Sequence, residues 1–413
     1  MTCQVGTTGD MIDTGDTAEP ARQGDSGSTD VVDPESSGRA PVAWLSRWWP
    51  ILLPGALYLG VRALGVLLLW WMAASHQQPL DLHAWDGNWY LQLSKGGYEG
   101  YPTDPNSSLN THNMAMAFFP AYPVLVHYAT PVFFGNRLIA ALAVSTVAGV
   151  AAAYGVARLT QRLSGSRSAG LVMVVLFAAA PMSIVYSMVY PEAVQCALVA
   201  WSLVGVVERN WLLAGWCATI AGLVRPIALP LIVVVMIAAA VALIRRRGGW
   251  PAWVALLSAP YGLVMYVVWV SIRTGSLTGY FTVQQGGWSE RFDGGQTTVQ
   301  WVANTLTASN GSPFTVLGVL LLIGSVALVG YSVRRLPWPV WIYGALTVVN
   351  VATVAGVMDS KVRQLLPAFV LLIPLAIAIA RRHPARAAAI TVLLAGVGLW
   401  YSAYGLTVWP YAI

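Results

Sequence analysis

The sequence predicts an all-α polytopic membrane protein of about eleven transmembrane helices, with a large first external loop that carries juxtamembrane helices. Three observations carry this reading. Of the 413 residues, 57% are hydrophobic and only 10% charged, against about 25% charged in an ordinary soluble domain. Beyond a polar N-terminal stretch, apolar runs of about 20 residues recur, each long enough to cross a bilayer as a helix. The arginines gather in short gaps between those runs: Arg158, Arg162 and Arg167; Arg209; Arg245, Arg246 and Arg247; Arg334 and Arg335; Arg381, Arg382 and Arg386. Placing all five clusters in the cytoplasm satisfies the positive-inside rule. The net charge of +6 therefore reports orientation, and nucleic acid is not expected as a partner.

Residues 1–40 hold eight acidic residues and almost no bulky apolar ones, a composition expected to be disordered. They lack the order of a cleavable signal peptide, which predicts a retained signal anchor and a cytoplasmic tail. Residues 41–413 form the membrane domain. Spans are expected near 51–73, 137–159, 169–189, 192–207, 211–224, 227–244, 252–271, 314–333, 338–357, 365–380 and 388–406. The apolar stretch 118–134 would reverse the sidedness of the first arginine cluster if it crossed, so it is read as interfacial or re-entrant. The pair 211–224 and 227–244, broken at Arg225 and Pro226, reads as either two crossings or an incomplete hairpin. Cys3, Cys196 and Cys217 offer no loop pair for a disulfide or zinc site.

Two long external loops remain, 74–136 and 272–313, and aqueous chemistry is expected there. The first combines Asp81, Asp86, Glu99 and Asp104 with Trp85, Trp89, Tyr90, Tyr98 and Tyr101, a mixture suited to a membrane interface. Its segment 83–93 should be a short amphipathic helix, with Trp85 over Trp89 and Asp86 beside Tyr90 at helical spacing. A carboxylate held at headgroup depth among aromatics is a candidate general base; the alternative is that Asp86 only caps the helix.

The run WDGNWY at 85–90, GGY at 96–98 and AFFPAYPVL at 117–125 resemble the first luminal loop of PIG-V type mannosyltransferases, enzymes of the GT-C class. SMVYPE at 187–192, WLLAGWCATIAGLVRP at 211–226 and SKVRQLLPAF at 360–369 are similar to further segments of that family, in the same order. The resemblance implies a GT-C-like bundle and an inverting transferase moving mannose from polyprenyl phosphate mannose to a glycolipid or envelope polysaccharide acceptor at the non-cytoplasmic face. It assigns the general base to Asp86, in agreement with the reading from the residues themselves.

Such a displacement needs one base and cations for the departing phosphate. Arg225, Lys361 and Arg363 are the candidate phosphate ligands among the cations outside the cytoplasmic clusters, which also include Arg62, Lys95, Arg137, Arg273 and Arg291. Each has a plain structural alternative: snorkelling, interfacial anchoring or pairing with a buried acid such as Glu192 for Arg62. Trp85, Trp89, Tyr90, Glu192, Gln285 and Trp288 are the candidate sugar or acceptor contacts, with Gln284, Arg291 and Asp293 beside them in the second loop. His127 departs from the family's arginine at that place. No HExxH, Walker A, CxxC or Asp-x-Asp motif is present, so no metal or other cofactor is expected and the lipid-linked donor is a substrate. A different polyprenyl phosphate sugar, such as arabinofuranose, or a lipid or sugar transporter would also fit a chain of this composition.

Overall fold

The computed structural model describes residues 40–99, 114–308 and 312–411. The expected acidic tail, apart from Ala40, and the middle of the first long loop lie outside the described residues. In chain order the helices are α1 (Ala40–Ser75), α2 (Asp86–Gly96), α3 (Ala121–Ala129), α4 (Arg137–Ser164), α5 (Arg167–Ala178), α6 (Glu192–Glu208), α7 (Trp211–Ala221), α8 (Leu229–Ile244) and α9 (Gly249–Ser258). There follow α10 (Tyr261–Thr274), α11 (Gly279–Trp288), α12 (Gln296–Thr307), α13 (Pro313–Ser332), α14 (Trp338–Thr353), α15 (Lys361–Gln364), α16 (Ile373–Ala380) and α17 (Pro384–Thr407). Among the described residues the only β pairing is an isolated antiparallel bridge between Phe292 and Val354.

Every apolar stretch expected to span contains a helix. Six helical segments are long and apolar enough to cross a bilayer: Ile51–Ser75, Arg137–Ser164, Pro226–Ile244, Gly249–Thr274, Pro313–Ser332 and Pro384–Thr407. The segments Met358–Gln364 and Leu366–Ala380 make a seventh when taken as one span bent by 55°. The other four expected spans hold the shorter helices α5, α6, α7 and α14, of 12, 17, 11 and 16 residues, and most of α6 is buried within the protein. The stretch 118–134 holds only the nine-residue α3 and a 3-10 turn, Thr130–Phe133, too short to cross.

Local sequence explains where these helices start and stop. Asn136, Ser166 and Asn210 precede α4, α5 and α7, and their side chains accept from the amides of Ile139, Ala169 and Leu213 at 3.1, 3.2 and 3.2 Å. Gly165 ends α4 in the left-handed region, with φ 68°, where a side chain would be strained. The helices then pack through small residues. A Cβ on Gly149 of α4 would stand 1.9 Å from the Tyr58 hydroxyl, so only glycine lets α1 and α4 approach this closely.

One buried cation holds a break in the bundle. Arg62 donates through Nε to Ser187 at 2.9 Å, and through Nη1 to the Ala178 carbonyl at 2.8 Å and Ser183 at 2.9 Å. It satisfies a carbonyl at the end of α5, which cannot be left unpaired inside a membrane protein, and ties it to two hydroxyls of the 3-10 turn Ser183–Ser187 that follows. The sequence expectation had paired Arg62 with Glu192 or another acid. The hydroxyls and carbonyl at the break take that place.

Candidate active site

The turn between α5 and α6 also positions Asp86. Val189 donates its amide to the Leu82 carbonyl at 2.9 Å, the Tyr190 hydroxyl donates to the Ala84 carbonyl at 3.0 Å, and the Asp86 amide donates to that hydroxyl at 3.2 Å. Residues 82–86 are thus moored to 189–190. Gly87 continues the close approach, since a Cβ there would meet the Val189 carbonyl at 3.4 Å. Asp86 is the first residue of α2, and Trp85 before it has φ 58°. This is an unusual conformation for a bulky residue, of the kind that surrounding structure must impose. Trp85 therefore lies outside the helix, so the expected register of Trp85 over Trp89 does not apply.

The Asp86 side chain does not cap the helix. Its Oδ2 accepts from Nη1 of Arg363 at 2.7 Å, joining α2 to α15 across 277 positions of sequence. Nε of the same arginine stands 3.6 Å from Oε1 of Glu192, and its guanidinium lies 5.2 Å from the centre of the Tyr190 ring. Glu192 in turn accepts from Nη1 of Arg225. The four side chains Asp86, Arg363, Glu192 and Arg225 are 20%, 7%, 2% and 19% exposed. Two acids and two bases thus form a neutral, largely buried row contributed by four separate parts of the chain. Glu192 sits at the N-terminus of α6, where the helix dipole favours a carboxylate. Its Oε2 and the Nε of Arg363 have no hydrogen-bond partner.

Several expected roles are corrected by this geometry. Glu192 was expected to orient a sugar hydroxyl or to support Asp86; it is buried beneath two arginines, and Arg363 stands between it and Asp86. The ammonium of Lys361 was expected on a phosphate, yet it is buried and donates to the carbonyls of Val351 and Val354, each at 2.7 Å. Lys361 therefore fastens the end of α14 to α15. Tyr90 was expected at a sugar face, and its ring is instead buried edge-on between Phe118 and Tyr122, with centroids 5.1 and 5.2 Å away. Gln284 is buried and donates to Tyr280 at 2.6 Å, while Asp293 accepts from the amides of Gly295 and Thr297 at 2.8 and 2.9 Å and caps α12. Trp85 and Gln285 are exposed.

The two long loops meet at one aromatic cluster. Trp89 stacks on Phe118 with ring centroids 5.2 Å apart, and Trp288 of the second loop meets both edge-on at 5.8 and 5.2 Å. Just after Trp288 the chain pairs with the strand-like end of α14: Ala355 donates to the Arg291 carbonyl at 2.8 Å and Asp293 to that of Thr353 at 3.2 Å. This pairing fixes Glu290, which the sequence reading passed over. Glu290 is half-buried and within electrostatic range of Arg225, Arg363, Asp86 and Lys361. Burial, more than any neighbour, raises its pKa above the ordinary carboxylate value. Its place in a short run beside Trp288 was the available sequence signal.

Beside α15 lies an apolar cavity of about 390 Å³, lined by Phe177, Leu321, Leu328, Val362, Leu366 and Phe369 among others. Its edge at Val362 is one residue from Arg363. Among the described residues, no group of three or more His, Cys, Asp or Glu side chains gathers as a metal-ligand set.

No family model matches the chain, and no curated protein matches it in sequence. Solved structures do match in fold. The crystal structure of ArnT from Cupriavidus metallidurans bound to undecaprenyl phosphate is 14% identical with a TM-score of 0.53, and the match covers 86% of this chain and 63% of that one. The apo structure of the same protein gives 15% identity, a TM-score of 0.52 and coverage of 86% and 62%. The chain spans less than two thirds of the length of the proteins it matches. Mostly helical, with apolar helices of membrane-crossing length and this likeness, the chain shares the membrane fold of ArnT.

Proposed function

We propose that this protein is a membrane glycosyltransferase that moves mannose from polyprenyl phosphate mannose to a glycolipid or cell-envelope polysaccharide, with inversion, on the non-cytoplasmic face of the cell membrane. The observation that carries the reading is the contact between Asp86 on the first long loop and Arg363, which sets a partly exposed carboxylate beside a buried guanidinium. The fold supports it, since the ArnT structure holds undecaprenyl phosphate, and so does the apolar cavity that Val362 helps to line, whose lining suits an isoprenoid chain. Mannose itself rests on the six segments that resemble PIG-V type enzymes, and sidedness rests on the arginine clusters.

In the proposed reaction Asp86 takes the proton of an acceptor hydroxyl, and that oxygen attacks the anomeric carbon of the donor sugar. The bond from the anomeric carbon to the phosphate oxygen breaks, and polyprenyl phosphate leaves with the electron pair. Arg363 and Arg225 stand where the growing phosphate charge would lie, and a guanidinium can hold two phosphate oxygens at once. Glu192 keeps both cations in place without competing for the open side of the cleft. Arg363 also orients Asp86 and releases it as a base when the phosphate takes over its hydrogen bonds.

The test is donor choice. Membranes carrying the protein are given labelled polyprenyl phosphate mannose, and separately polyprenyl phosphate arabinofuranose, and the label is followed into new lipid or polymer. Transfer of mannose with release of polyprenyl phosphate is the expected result. Transfer of arabinofuranose alone would replace the sugar and keep the chemistry, while passage of intact donor across the vesicle wall without bond cleavage would overturn the enzyme assignment in favour of transport.

A further inference from the structure

Glu290 is a half-buried carboxyl that accepts no hydrogen bond among the described residues, although it lies within electrostatic range of Arg225, Arg363 and Asp86. Its position is built, not incidental. On one side Gly356, with φ 136°, passes so near that a Cβ there would stand 2.8 Å from Cγ of Glu290, and the adjacent backbone is paired through the Arg291 carbonyl and the Ala355 amide at 2.8 Å. On the other side the chain leads back to Trp288, which sits edge-on to Trp89 in the helix that begins with Asp86. Half-buried and bonded to no protein donor among the described residues, the carboxyl keeps its oxygens open to a ligand's hydroxyl.

The donor's sugar is one oxygen from its phosphate. A phosphate between Arg225 and Arg363 therefore puts the ring's hydroxyls within a few ångströms of that pair, and Glu290 lies close enough to feel both cations and Asp86. We propose that Glu290 is a donor-sugar contact, its carboxylate accepting a hydrogen bond from a ring hydroxyl while Trp288 and Trp89 wall the same space. This rests on the glycosyltransferase reading above. It adds a second function for the 272–313 loop: α11 and the Phe292 to Val354 bridge exist to carry a sugar-reading side chain to the cleft. The raised pKa of Glu290 agrees, because a carboxyl shielded from water gains most from a hydroxyl partner.

The experiment compares wild type with Glu290→Gln and Glu290→Asp, measuring in detergent the binding of polyprenyl phosphate mannose and of bare polyprenyl phosphate, and in parallel the transfer rate. Wild type should bind the sugar-bearing lipid more tightly. Both variants should narrow that preference about tenfold, the worth of one hydrogen bond to a charged group, with bare-lipid affinity and acceptor KM unchanged. Because Glu290→Asp keeps the charge and withdraws the oxygens, its loss separates contact from electrostatics. Unchanged preference in both variants, or a wild type that binds the two lipids equally, would overturn the sugar contact. A wild type that discriminates between the lipids, loses this in the variants and yet transfers nothing would uphold the contact and refute the transferase reading.

Discussion

Removing the charge of Glu192 should be among the most damaging single changes in the cleft, although the carboxylate touches no substrate in this account. Glu192→Gln preserves shape and leaves Arg225 and Arg363 without their shared counter-ion, Arg363 keeping its bond to Asp86. At 3.6 Å from Arg363 and an effective dielectric of about 20, the lost attraction is about 4 to 5 kcal/mol before solvation is counted. Arg225 loses its nearest acid as well. Breaking a buried pair in this way costs about 3 to 5 kcal/mol, and the lower end is expected because the amide oxygen can still accept from Arg225. Removing the stranded cation too, in Glu192→Gln with Arg225→Gln, should recover about 2 kcal/mol of that loss. The assay is unfolding of the purified protein in detergent, followed by loss of helical dichroism across the four members of the cycle. A Glu192→Gln protein within about 0.5 kcal/mol of wild type, or losses that simply add in the double variant, would refute the counter-ion role.

Two further outcomes follow from the site and the loop beside it. Arg225→Lys keeps a cation near Glu192 but loses the forked guanidinium, so the donor KM should rise about tenfold while the acceptor KM moves less than about twofold; equal effects on both would remove Arg225 from the phosphate. Asp293 is held at a pKa of about 2, chiefly by the Thr297 hydroxyl and amide and then by the Gly295 amide. Since the folded value is depressed below the ordinary one near 3.9, its cap on α12 is at full strength above about pH 4 and is lost as pH falls toward 2. Amide-exchange protection of Gly295 and Thr297, corrected for intrinsic rates, should fall over that interval in wild type and stay flat in Asp293→Asn.

Much of this architecture is legible in the sequence because a bilayer imposes a length and a polarity on each crossing. What hydropathy cannot tell is whether an apolar helix faces lipid or protein, and α6, most of it buried within the protein, is an example. Within the site, Asp86 stood out because aromatics bracket it on a polar loop, and Arg363 because a charge near an apolar stretch is costly. Their contact across 277 positions leaves no local trace. Glu192 and Lys361 were recognised as unusual for the right reason, burial of charge, and given the wrong partners, since a sequence does not show that Arg225 or the carbonyls of Val351 and Val354 are near. Tyr90 looked like a sugar platform because position alone does not tell a buried aromatic from an exposed one. Glu290 escaped notice because it is placed by the pairing of Arg291 and Asp293 with 353–355, and no periodicity marks a bridge so short.

The most direct test of the central claim is transfer of labelled mannose from synthetic polyprenyl phosphate mannose to a lipid extract, by wild-type and Asp86→Asn membranes at matched protein levels. The account predicts a labelled product with wild type and a rate at least about a hundredfold lower with Asp86→Asn, the variant protein remaining folded and inserted. Equal product from both would contradict the assignment of Asp86 as the base.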